Sequence, residues 1–358
     1  MTSSRKPALR RSWKPVLKSW LKRLIVVSAY AYPALLSAFC LAFLLIGESW
    51  WVTAGLLYVP RLLFAAPAVV LIPALLLMRK KQLLWTQVAG LLLTVFPLMG
   101  LVLPWPVRSA GAAPSLKLLS LNVDTAHAGA AQLMSALDQV RPDLVLFQEA
   151  PWGGPLYDGL RARFPHVEGS TQFAIGSRFP ILERTDPEKI PLGGRQRSPR
   201  FMRYLIKTNL GELAVYNIHT ISPRGTLGVW RLRGLLHSVR SGAILDQDPE
   251  KDLGQNAALR EKQIATAAAL AAKERAPVLL AGDTNLPGLS AALHSHFAPY
   301  SDAFRQASWG FGYTYPRRRP FLRLDRVLAG PELRFTEFQV GCPEVSDHLC
   351  VIARVIRR

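Results

Sequence analysis

Polar side chains able to exchange protons or bind cations recur at the ends of apolar segments of this 358-residue chain. Asn122 and Asp124 follow the run Leu116–Leu121. Glu149 closes a run that starts at Asp143, His219 closes one that starts at Leu213, and Asp283 with Asn285 breaks one that starts at Val278. Asp325 lies in a late apolar segment, and Asp347-His348 stand just before another. Any one of these alone reads as a solvated strand-end group. A succession of apolar strands that all end in carboxylate, amide or imidazole implies more. Polar groups at the same end of neighbouring strands converge on one rim, and a rim held by a rigid sheet is where active sites are built. The chemistry open to these residue types is proton transfer by carboxylate and imidazole and ligation of hard cations by carboxylate oxygen.

The elements that must position this rim can be read from the spacing of apolar residues. Residues 116–122 predict a strand. Ala130–Val140 predicts a helix, with Leu133, Met134, Leu137 and Val140 at helical spacing. Residues 143–149 predict a buried strand, 174–181 and 205–208 two strands with a turn between them, and 213–219 an alternating strand. The alanine-rich stretch 256–274 predicts a helix and 278–285 a strand that breaks at Gly-Asp. Short strands are predicted at 324–328 and 351–355. Strand–helix–strand units mixed with hairpins imply an α+β domain of stacked sheets covered by helices, spanning 116–358.

The first third of the chain has another character. Hydrophobic residues make up 50% of the whole and charged ones 19%, which excludes a disordered or fibrous protein. Residues 1–23 hold eight Lys or Arg and no acidic residue, and 24–104 hold four basic residues and only Glu48. Three charge-poor runs, 24–47, 62–78 and 83–104, each approach the ~20 residues that a bilayer requires. They predict three transmembrane helices. The basic run 1–23 and the loop Arg79-Lys80-Lys81 place the N-terminus in the cytoplasm. Three spans then put everything beyond a linker at 105–115 on the outer side of a cell membrane, in a multi-pass protein. A wholly soluble protein is excluded by this third and a wholly embedded one by the rest.

Seven pieces carry a resemblance: Leu-Asn122-Val-Asp124, Phe-Gln-Glu149, Ser177-Arg178-Phe-Pro180, Asn217-Ile-His219, Gly282-Asp283-Thr-Asn285, Leu-Asp325-Arg-Val and Ser346-Asp347-His348. In this order, over 116–356, they resemble the DNase I-like endonuclease/exonuclease/phosphatase superfamily. Each piece alone is weak, and Gly-Asp-x-Asn is common in turns. The resemblance implies a four-layered α/β sandwich and hydrolysis of phosphoesters with a divalent metal, Mg²⁺ or Mn²⁺. It makes Glu149 the principal metal ligand, with Asp124 and Asp347 as further metal carboxylates. Asp283 would deprotonate the attacking water, with Asn285 as its hydrogen-bonding partner. His348 would contact the phosphate and Asp325 would hold that imidazole in one tautomer. Asn122 would fix the metal and phosphate geometry, and His219 would stand on the leaving-group side.

Substrate-binding candidates are Arg178 and a basic loop with Arg195, Arg197 and Arg200. Arg224, Arg231, Arg233 and Arg240 form a second basic cluster and Arg317-Arg318-Arg319 a third. Such loops suit nucleic-acid backbone or anionic lipid headgroups, or are simply solvated. An endonuclease-like phosphodiesterase is the first reading. A phospholipid or inositol phosphate hydrolase, sphingomyelinase-like, is the enzymatic alternative, and a non-catalytic polyanion-binding membrane module the alternative of another class. Cys342 and Cys350 flank Ser346–His348, where outside the cytoplasm a disulfide would brace the loop. Oligomeric state has no sequence signal.

Overall fold

The computed structural model describes residues 14–103, 111, 113–192, 194–223 and 249–358. The Arg224–Arg240 cluster lies outside the described residues. Two six-stranded sheets face each other. The first has the order β13 (Leu333–Gly341), β14 (Cys350–Arg357), β1 (Ser115–Asn122), β2 (Leu144–Gln148), β4 (Phe173–Ser177), β3 (His166–Ser170). The second runs β11 (Ser301–Asp302), β12 (Asp325–Ala329), β10 (Val278–Asp283), β9 (Gly211–His219), β8 (Phe201–Thr208), β5 (Ile181–Thr185). A separate hairpin pairs β6 (Ile190–Leu192) with β7 (Arg195–Arg197).

Each sheet contains one parallel pair, β1 with β2 and β9 with β10, and the other pairings are antiparallel. Inward-facing side chains such as Leu118, Leu146, Tyr204, Val215, Leu279 and Val327 fill the space between the sheets. Helices α5 (Ala130–Val140) and α6 (Gly154–Arg161) cover the first sheet through Leu133, Leu137, Tyr157 and Leu160. Helices α7 (Pro249–Ala271) and α8 (Ala291–Phe297) cover the second through Ile264, Ala267, Leu293 and Phe297. The result is helix–sheet–sheet–helix, the α+β four-layered sandwich expected from the sequence. A short helix α9 (Ala303–Ala307) follows β11.

Two expectations about elements need correction. The chain does not turn directly from 174–181 into 205–208: β5 and the β6–β7 hairpin intervene, and β8 begins at Phe201. Strand β13 was not anticipated. Its alternation of Leu333, Phe335, Phe338 and Val340 slips at a bulge between Phe335 and Glu337, which erases the period of two.

In the first third, α1 (Lys14–Leu45) is the one helix among the described residues long and apolar enough to cross a membrane, over residues 16–45. The expected second and third spans fall short. The second run becomes a tight turn at 61–65 and α3 (Ala66–Leu77), together an apolar stretch of 17 residues. The third becomes α4 (Leu84–Leu93), whose regular pattern widens into a π-turn at Thr94–Leu98 around Pro97. Proline removes a backbone donor, and at Pro97 the helix widens, whereas α1 and α3 run on past Pro33 and Pro73. A further short helix, α2 (Trp51–Leu56), follows α1. The three long helices pack on one another through Tyr32, Leu36, Phe43, Leu71 and Leu98 at one end, and Ala29, Leu75 and Leu83 at the other. Leu24, Val27, Leu41, Leu45, Val69, Val70, Leu77, Trp85, Val88 and Leu92 remain exposed around the bundle.

The bundle is joined to the sandwich at the end where α1 finishes. Val102 pairs with Gly310, Tyr313 Oη donates to Met99 O at 2.9 Å, and Leu289 joins the core of the bundle. The basic turn Arg79-Lys80-Lys81 lies between α3 and α4 beside Ala29, toward the start of α1.

Candidate active site

Strand register creates the rim. Asn122 pairs with Gln148 at the end of the β1–β2 parallel pair, so Glu149 emerges one residue beyond it. In the other sheet Asp283 pairs with His219 on one side and with Asp325 on the other. Gly282 allows this: its φ is +138° and a Cβ there would stand 1.9 Å from Ile218 O. The two parallel pairs are locked across the sandwich by buried amides. Gln148 Nε2 donates to Asn217 Oδ1 at 2.7 Å, and Asn217 Nδ2 donates to Phe147 O at 3.0 Å.

One amide links the carboxylates of the two sheets. Asn122 Nδ2 donates to Glu149 Oε1 at 3.0 Å and to Asp283 Oδ2 at 3.2 Å. Asp283 is buried and accepts two further bonds, at Oδ1 from Asn285 N (2.9 Å) and at Oδ2 from Asn285 Nδ2 (3.2 Å). His219 Nε2 lies 3.3 Å from Glu149 Oε1 and 3.7 Å from Asp283 Oδ2, while its Nδ1 meets Gln172 Oε1 at 2.6 Å. His348 Nε2 lies 3.8 Å from Asp283 Oδ2, and its Nδ1 meets Asp325 Oδ2 at 2.8 Å. Burial alone would lower the His348 imidazole. The Asp325 and Asp283 carboxylates and the bond to Asp325 outweigh that and raise it to about 9, so it is a cation at neutral pH. The ring of Tyr315 lies over it, centroids 4.7 Å apart.

Backbone strain collects here. Glu149, Asn285 and Arg200 all have φ near +50°, a region in which non-glycine residues persist only when their surroundings over-determine them. Arg200 O accepts from His219 N at 3.0 Å. Burial pulls the Arg200 guanidinium below the usual arginine value, while the nearby Glu149 and Asp283 carboxylates pull it back up.

Asn122, Glu149, His219, Asp283, Asn285, Asp325 and His348 are thus brought together, with Arg200 beside them. Asp124 and Asp347 border this knot, Asp124 through Asn122 and Asp347 through its charge beside His348. They line an adjoining cleft of about 920 Å³ together with Arg317, Arg318 and Arg319. Asp124 is oriented by its own N–H donating to Asn122 Oδ1 at 3.0 Å, and the loop of Asp347 is braced by the Cys342–Cys350 disulfide. Arg195 and Arg197 lie on the β6–β7 hairpin, whose Pro191 O accepts from Lys262 of α7. Arg178 is displaced from the site altogether. It follows β4 at the opposite end of the sheet, where its Nε donates to Pro142 O at 3.1 Å and lies 3.8 Å from Asp143. Antiparallel pairing of β4 with β2 explains the misplacement, because the end of β4 meets the start of β2.

Three contributors went unread in the sequence. Gln172 orients His219. Thr314 Oγ1 accepts from the N–H groups of Leu324 and Asp325, both at 3.2 Å, and so fixes the start of β12. Tyr58, between α2 and the turn at 61–65, donates from its hydroxyl to Asn285 O at 2.7 Å and accepts from Arg260 Nη1 at 2.9 Å. None of the three has a local sequence signal.

The donor set fits a hard divalent cation. Asp283, Asp325 and His348 stand within 4.8 Å of one another; with the imidazole protonated, the carboxylate oxygens of Asp283 and Asp325 remain as donors, and Asp325 Oδ1 is buried without a hydrogen-bond partner. Glu149 adds a carboxylate whose side chain is 30% exposed. Carboxylate-rich sets with room for water suit Mg²⁺ or Mn²⁺.

The family model described as "Endonuclease/Exonuclease/phosphatase family" matches residues 119–348, more than half of the chain. No curated protein matches. Among solved structures, an endonuclease/exonuclease/phosphatase family protein from Bacteroides thetaiotaomicron is similar at 16% identity. The match covers 69% of this chain and 99% of that one, with a TM-score of 0.50. SmcL is similar at 15% identity, over 70% of this chain and 100% of that one, also with a TM-score of 0.50. At these identities the likeness establishes the fold.

Proposed function

Since the chain belongs to the endonuclease/exonuclease/phosphatase family, whose members are metal-dependent phosphoesterases, we propose that it is a membrane-anchored hydrolase of phosphodiester bonds. The observation that carries this reading is the Asn122 amide holding Glu149 and Asp283 together, with an imidazole on either side. Glu149, aided by neighbouring carboxylates, would hold the metal, which when bound neutralises charge on the phosphate. Asp283, oriented by three amide N–H donors, takes the proton of the attacking water. His348, kept cationic by Asp325 and Asp283, faces the phosphate and stabilises charge as the bond breaks. Asp325 holds the His348 ring in one orientation through Nδ1, the role a carboxylate plays beside a catalytic imidazole. His219, with Gln172 on Nδ1, directs Nε2 into the site and is positioned to protonate the leaving oxygen. Arg200 supplies a further charge toward the phosphate. Asp124, Asp347 and Arg317–Arg319 line the path along which the rest of the substrate extends.

A polyanionic, endonuclease-like substrate suits Arg317, Arg318 and Arg319 in that cleft, whose lining also carries Asp124, Glu344 and Asp347. A phospholipid or inositol phosphate substrate is favoured by a different observation: Tyr58, from the apolar third, bonds directly to Asn285. Incubating the full chain with DNA, RNA, phospholipids and inositol phosphates, in Mg²⁺ and in chelator, separates them. Metal-dependent turnover of nucleic acid alone supports the first, turnover of lipid or inositol phosphate the second. Binding to polyanions without any turnover would leave a non-catalytic binding module.

We place the sandwich outside the cytoplasmic membrane. One crossing by α1 puts it on the side opposite the basic N-terminus. Lys and Arg stay on the cytoplasmic side, and the Cys342–Cys350 disulfide suits an oxidising compartment. A C-terminal reporter active only outside the membrane should be active; silence of a stably expressed fusion would refute this placement.

A further inference from the structure

On the far face of the second sheet the chain buries a charge imbalance. Alternation along β12 sends Asp325 toward His348 and Arg326 to the other side, under α8. Arg326 is 1% exposed. Its Nη2 donates to Leu286 O and Arg323 O, but Nε and Nη1 have no hydrogen-bond partner. Arg323, 9% exposed, takes both oxygens of Asp302 at 2.9 and 2.7 Å. Asp302 is therefore already engaged, and its Oδ2 is 3.6 Å from Arg326 Nη1. Two buried guanidinium groups share one carboxylate, and exposed Arg305 adds a third positive charge. Burial, then the neighbouring Arg323, push Arg326 well below the usual arginine value. Two buried guanidinium groups against one carboxylate leave positive charge in excess, and buried charge left uncompensated is costly, so this arrangement calls for an anion.

There is room for one, and the room leads toward the ends of the apolar helices. Arg305, Arg323 and Arg326 line a cavity of about 300 Å³. A second cavity, of about 490 Å³, shares Arg305 and Arg323 with it and continues to Leu44, Phe96 and Pro97 at the ends of the apolar helices. No carboxylate or imidazole of the catalytic rim lines either one. We propose that this junction is a second site, holding the phosphate group of an anionic phospholipid on Arg305, Arg323 and Arg326 with its acyl chains along the helix ends. The phosphate accepts the bonds that Arg326 Nε and Nη1 now lack, and the lipid ties the sandwich to the bundle. The site stands whether or not the rim is catalytic.

Native mass spectrometry of the full chain tests this, after release from nanodiscs containing phosphatidylglycerol and phosphatidylcholine, in chelator. Wild type should retain phosphatidylglycerol in preference to phosphatidylcholine. Retention should fall at least about tenfold in Arg305→Gln and Arg326→Met, the loss expected for one charge-assisted hydrogen bond, and persist in Glu149→Gln. Arg305 is exposed, so Arg305→Gln decides the matter if Arg326→Met does not fold. Equal retention in Arg305→Gln and wild type overturns the proposal, as does loss in Glu149→Gln alone. A second arm melts the lipid-free chain with and without inorganic phosphate. Phosphate stabilising wild type but not Arg305→Gln, without lipid retention, overturns the lipid assignment in favour of free phosphate.

Discussion

The two ends of the central strands carry similar residues in unlike settings. At the carboxyl ends of β1, β2, β9 and β10, amides, carboxylates and imidazoles from both sheets meet in a buried knot. At the start of β2, Asp143 meets Lys117 N–H at 2.8 Å and the guanidinium of Arg178, whose side chain is 50% exposed. Both ends are polar, and both interrupt apolar runs. What separates them is convergence: the first end draws groups from five strands and their loops onto shared atoms, while the second is a local pair in contact with water. Exposed ion pairs contribute ~0–1 kcal/mol, whereas a buried polar network is either satisfied or costly. A burial cost is sustained where function requires it.

Substitutions at the two ends should therefore diverge. Asp283→Ala is expected to lower phosphodiester turnover by about 10²–10⁴, the range for loss of a general base, while the chain still folds; turnover equal to wild type would remove the distinction between the ends. Asp325→Asn should lower turnover by about tenfold or more through a misoriented His348, in line with loss of a carboxylate partner. It should also move the His348 titration down from about 9 in the metal-free protein, read by NMR. The sign follows from linkage. A folded-state value raised above the unfolded 6.5 gives stability fully present below pH 6.5 and lost as pH rises toward 9. Asp325→Asn should flatten that loss in chemical denaturation of the metal-free chain, and an unchanged pH profile would show that Asp325 does not hold the imidazolium.

Smaller effects sharpen the contrast. Tyr58→Phe removes one hydrogen bond to the strained Asn285 backbone, worth ~1 kcal/mol. It should lower kcat a few-fold at nearly constant KM, because the group touches the residue that orients Asp283 and not the substrate. Arg178→Ala should leave turnover unchanged and alter stability by under ~1 kcal/mol. A marked loss of activity there would return Arg178 to the substrate site and dissolve the difference between the ends.

The pattern of legible and illegible features follows from range. Helix 130–140 and the strands ending in Asn122, Glu149, His219 and Asp283 could be read because their periodicity is local. The residues at those ends could be read because a strand end is visible in one dimension. Arg178 was misplaced because a motif does not state which end of a neighbouring strand it meets. β13 was missed because its bulge shifts the period. Gln172, Thr314 and Tyr58 act across long sequence separations, Tyr58 over 227 residues to Asn285. The apolar third was read correctly in composition. Its second and third runs yield shorter helices than hydropathy implied, since Pro97 and the turn at 61–65 interrupt them. Nothing local to Arg326 reveals that it shares a single carboxylate, Asp302, with Arg323 on its face of the sheet.

The central claim is that carboxylates from both sheets form one metal-dependent centre. Electron paramagnetic resonance of Mn²⁺ added to the full chain measures this directly, comparing wild type with Glu149→Gln from the first sheet and Asp283→Asn from the second. The account predicts a bound Mn²⁺ signal in wild type that weakens in both variants. Undiminished Mn²⁺ binding in both would contradict it.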